Sequence, residues 1–134
     1  MKLQFLAKFA DLGLLIVRLG VGGSFLMHGS PKFFGGPERW AKIGGVMDLV
    51  GISFLPTFWG FMAAFAEFGG GILMILGFYF RPAMLLLTIT MFMALRFHLS
   101  KGDPYSDYSH AMELAFVFLS LLFVGPGKYS IDRG

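Results

Sequence analysis

The side chains able to do chemistry in this sequence are Arg18, His28, Lys32, Glu67, Arg96, His98, His110 and Glu113, all set within or at the ends of long apolar runs. A charge at bilayer depth costs about 2.5–3.5 kcal/mol even on lenient insertion scales, so such residues turn inward, find partners and mark ligand or proton paths. Glu67 is the leading candidate, because it lies mid-run among Gly60, Ala63, Ala64, Gly70 and Gly71 on one side of a helical wheel. With His28 it forms a candidate proton relay. Arg18, Lys32, Arg96 and Glu113 join this pair as a candidate ligand pocket, in which cations donate hydrogen bonds and carboxylates accept or relay protons.

The histidines open a second chemistry. His28, His98 and His110, with Glu113, are the nitrogen and oxygen donors that a divalent metal takes. Bis-histidine haem ligation by His28 and His98 has no spacing that argues for it.

Spacing groups these residues further. At 100° per residue, Arg18, His28 and Lys32 fall within an arc of about 80°, shared with Gly22 and Gly29. That small-residue face suits close packing against the face around Glu67. Ion pairs between Arg18 and Glu67, and between Arg96 and Glu113, are the structural alternative to a functional site. Measured along the helices, His28, Lys32, Arg96, His98, His110 and Glu113 are expected in one layer near a membrane boundary, with Glu67 deeper and Arg18 deeper still.

The elements that position these side chains follow from hydropathy. A helical span takes about 20 mostly apolar residues. Four runs approach this, at about 12–34, 54–80, 83–99 and 110–124. The last is short. Arg81-Pro82 punctuates the second and third, and Gly125-Pro126-Gly127 closes the fourth. Between the first two, Trp40, Ile43, Met47 and Val50 recur at helical spacing and predict a short amphipathic interfacial helix. The fold class is therefore all-α, a four-helix transmembrane bundle forming one domain over 1–134.

Composition supports this class. The chain is 56% hydrophobic and 14% charged, against about 25% charged in soluble domains. A soluble fold of this size lacks the interior to hide so many Phe, Leu and Met side chains. The absence of cysteine removes disulfides, thiol redox chemistry and Cys-ligated clusters. A net charge of +3, scattered along the chain, excludes the clustered basic stripe expected of a nucleic-acid binder. The first run continues past the length of a signal peptide and reads as a retained span. Lys2, Lys8, Arg81, Lys128 and Arg133 fall on the side of the termini, against Lys32, Arg39, Lys42 and Lys101 opposite, which favours cytoplasmic termini.

Three motifs resemble the DoxX family of small membrane proteins. LLIVRLGVGGSFLMHGSPKF is similar to its opening Arg followed by H-G-x-x-K; EFGGGILMILGFYFRPA is similar to its E-x-x-G-G element; GPGKYSID is similar to its closing segment. The resemblance implies a four-helix protein of the bacterial or archaeal cytoplasmic membrane, whose relatives include subunits associated with quinone-linked oxidoreductase complexes. Its motif residues carry over onto Arg18, His28, Gly29, Lys32, Glu67, Gly70 and Gly71. The function expected from residues and resemblance together is a quinone-interacting or accessory subunit of a membrane redox system, with quinone as ligand. Its surroundings would be lipid, other membrane or peripheral redox proteins, and copies of itself as a homo-oligomer. A non-catalytic scaffold for partner proteins, and a metal or small-solute binder, are the alternatives.

Overall fold

Turn chemistry cuts the apolar runs into helices. In a computed structural model, which describes residues 2–133, the chain forms α1 (Ala10–Phe33), α2 (Pro37–Gly44), α3 (Pro56–Leu76), α4 (Phe80–Ser100) and α5 (Tyr105–Val124). Short 3-10 segments, Gln4–Phe9 and Gly45–Val50, precede α1 and follow α2. No strand occurs among the described residues. Four helices, α1 with its preceding segment and α3, α4 and α5, are long and apolar enough to cross a membrane.

Two boundaries differ from expectation. α3 stops at Leu76, because Gly77 takes a left-handed φ of 66°. There the Phe78 N–H reaches Leu73 O at 3.1 Å and the Gly77 N–H reaches Met74 O at 3.2 Å. This paired closure satisfies carbonyls that the helix end would leave free. Arg81-Pro82 consequently opens α4 instead of closing α3, and a proline without an N–H costs nothing in a first turn. α5 starts at Tyr105, earlier than the expected 110, because Pro104 and the polar residues after it build its first turn. It is thus a full 20-residue helix.

The packing order is α1 on α3, α3 on α4 and α4 on α5, with α2 laid along the first turns of α3. α1 and α3 approach backbone to backbone at Gly29, where a Cβ would lie 2.5 Å from Phe68 N. Gly60 plays the same part on the other face of α3, where a Cβ would collide with the Trp40 carbonyl. The Trp40 indole N–H donates to Lys32 O at 2.9 Å, tying α2 to the end of α1. The expected amphipathic helix is therefore α2 plus the 3-10 segment, held against α3. α1 and α5 meet through side chains, Phe25 and Phe118 with ring centroids 5.1 Å apart, since no Cα pair between them is closer than 8 Å. The buried core runs through Met74, Phe80, Met84, Leu87 and Phe118.

Candidate functional site

The wide gap between α1 and α5 leaves a cavity of about 170 Å³, walled by α1, α3, α4 and α5. Its polar lining is His28, Lys32, Glu67, His98, Asp107 and His110; Phe25, Met91, Ala94 and Ala111 supply the apolar part. The helices bring these residues together because each places one near the same level: α1 in its last two turns, α3 in its middle, α4 in its last turns and α5 in its first.

The electrostatic centre is one ion pair. Glu67 is 5% exposed. Its Oε1 accepts a hydrogen bond from Lys32 Nζ at 3.1 Å, and its Oε2 lies 2.9 Å from the same nitrogen. That second contact lacks hydrogen-bonding geometry, so Oε2 is buried without a donor. A carboxylate oxygen left this way is an acceptor awaiting a partner, because buried polar groups in native structures are almost always satisfied. Lys32 is about a third exposed, so its amine also faces the cavity mouth. His28 and His110, both exposed, stand across that mouth with ring centroids 6.4 Å apart. His98 is turned by Asp103, whose Oδ2 lies 2.8 Å from Nδ1, with Lys101 Nζ 3.8 Å from the same oxygen.

Several expected placements change. Glu67 is not below the His28–Lys32 layer but in it. α2 runs beside the first turns of α3, so α3 begins beyond the end of α1 and Glu67 comes level with Gly29. Arg18 does not pair with Glu67 and is absent from the cavity lining. It is 2% exposed, and its guanidinium donates to Met74 O (3.0 Å), Ile75 O (2.7 Å), Tyr129 O (2.8 Å) and, at 3.4 Å, Pro126 O. It therefore clamps the end of α3 to the segment after α5. Arg96 and Glu113 are exposed, lie outside the cavity and form no ion pair with each other. His28, His98, His110 and Glu113 do not converge as metal ligands: among the described residues, no three His, Asp or Glu side chains come close enough to hold an ion.

Sequence reasoning missed Asp103 and Asp107. Both lie in the polar stretch SKGDPYSDYS, which reads as an ordinary loop until α5 is extended back to Tyr105. The usable signal was an Asp five residues after His98 across a Gly-Asp-Pro turn.

Residues 13–99 match the family profile described as DoxX. The chain belongs to the DoxX family. The matched range takes in α1 to nearly the end of α4, and with them Arg18, His28, Lys32 and Glu67. This DoxX protein is 30% identical over 129 residues to the inner membrane protein YqjF of Escherichia coli K12, covering 94% of each chain. It is also 31% identical over 134 residues to an uncharacterized protein of Haemophilus influenzae, covering 96% of this chain and 94% of that one. Similarity to the E. coli inner membrane protein YphA is 30% over 131 residues, covering 90% and 88%. No solved structure matches the chain. Family and helices together make this an integral membrane protein.

Proposed function

We propose that this DoxX protein holds the head of a membrane quinone in the His28–Lys32–Glu67 cavity, as an accessory subunit of an oxidoreductase system in a bacterial or archaeal cytoplasmic membrane. The observation that carries the reading is Glu67 Oε2, a buried acceptor without a donor beside a cavity-facing amine. A quinone–quinol pair needs a donor to its carbonyl form and an acceptor for its hydroxyl form. Lys32 or His28 supplies the first and Glu67 the second. Pockets enclosing drug-sized ligands run to about 300–1,000 Å³; a cavity of about 170 Å³ suits a single ring with its tail outside. The exchange of protons with water falls to His28 and His110 at the mouth. Electrons come from a partner protein, which is why the reading is of a subunit. Cytoplasmic termini, favoured by the distribution of Lys and Arg, put the cavity mouth towards the opposite face.

Gentle purification from the native membrane, followed by mass spectrometry of solvent extracts and titration with a quinone analogue, tests this. Co-purified quinone, and analogue binding that weakens in Glu67→Gln, are expected. Extracts free of quinone together with no analogue binding would sink it.

A further inference from the structure

Arg96 and Glu113 are exposed on α4 and α5, the two helices that pack together on the flank away from α1. Their side chains make no hydrogen bond or ion pair with any described residue. A lipid-facing charge in a spanning helix is expected to find a partner, because the hydrocarbon supplies none. The surrounding exposed side chains are apolar: Ile89, Phe92 and Leu99 on α4, and Phe116 on α5.

From these two unpaired charges we infer that the α4–α5 flank binds a second copy of this chain, with Arg96 of each copy paired to Glu113 of the other. Charge complementarity within one chain selects this occupant. A two-fold axis along the membrane normal makes an isologous contact, in which residue i meets j and j meets i, so both acids and both bases are satisfied with nothing left over. Depth permits it. Arg96 lies four residues before the end of α4 and Glu113 eight residues after the start of α5, which is about 6 and 12 Å along the helices. The axis preserves depth, and the offset of about 6 Å is within the reach of an extended arginine. A different partner protein would have to supply an acid and a base in the same arrangement.

The chain has no cysteine, so a single Phe116→Cys substitution reports the contact through a flexible bifunctional maleimide applied to native membranes. Mass measurement of the uncrosslinked protein in lipid nanodiscs gives the oligomeric state independently. A dimer is expected by both. Arg96→Glu or Glu113→Arg alone lowers the dimer fraction at least tenfold, and the two together restore it to within twofold. Both side chains are exposed, so the single variants remain folded monomers, as helicity and monomer mass check. A dimer fraction indifferent to either reversal, a double reversal that restores nothing, or a wild-type chain monomeric in lipid overturns the inference; so does a monomer that instead retains an unrelated protein.

Discussion

Replacing Arg18 by methionine tests how this bundle is closed. The guanidinium makes three bonds of 3.0 Å or less, to Met74 O, Ile75 O and Tyr129 O, and a longer one to Pro126 O. Hydrogen bonds within membrane bundles average about 0.6 kcal/mol, and those from charged donors run to about 1.5–3 kcal/mol. Three bonds therefore give about 2 kcal/mol at the lower figure and about 4–5 at the low end of the upper one. Removing a buried charge returns part of its desolvation cost, so the expected loss is about 2–4 kcal/mol. The low end alone is about thirtyfold in an equilibrium constant. Because two of the carbonyls belong to the segment after α5, that segment is released first. Limited proteolysis cutting within residues 125–133, alongside denaturant unfolding in bicelles, reads both effects. Arg18→Lys keeps the charge but not the fork that spans two chain segments, and is expected to recover less than half of the loss. If Arg18→Met unfolds like wild type with its tail protected, or Arg18→Lys restores it fully, the clamp is refuted.

Other outcomes follow from the same geometry. Glu67→Gln keeps the side chain's shape and removes the charge facing Lys32, so quinone-analogue affinity falls on the order of tenfold, while stability changes by no more than about 1 kcal/mol because Lys32 is partly solvated; calorimetric titration and thermal unfolding check the two parts. Gly29→Ala places a methyl 2.5 Å from Phe68 N and costs about 1–3 kcal/mol by forcing α1 from α3, whereas Gly23→Ala, which meets nothing within 4 Å, is silent in the same unfolding assay. Asp132 accepts the Tyr79 and Phe80 N–H groups at 3.1 and 2.8 Å, so Asp132→Ala loses a helix cap worth about 0.5–2 kcal/mol. Asp132→Asn retains most of it, as denaturant midpoints would show.

What could be read without coordinates is what is local. Long apolar runs force helices, because a backbone in lipid must satisfy its own hydrogen bonds; hence the four spans, and the amphipathic Trp40–Val50 stretch between the first two, were legible. The pairing of the Gly29 face with the Glu67 face was legible as well, since small residues advertise close packing. The gathering of His28, Lys32, His98 and His110 followed from counting residues along antiparallel helices. Three things were decided only by the tertiary structure. The packing of α2 beside α3 set how far α3 overshoots α1, and so raised Glu67 to the level of Lys32; no periodicity within either helix encodes that offset. The rotation of α4 and α5 within the bundle turned Arg96 and Glu113 outward, and a helical wheel fixes angles within a helix but not between helices. Arg18 found main-chain carbonyls of α3 and the closing segment, partners present at every residue and therefore without a signature in side-chain type.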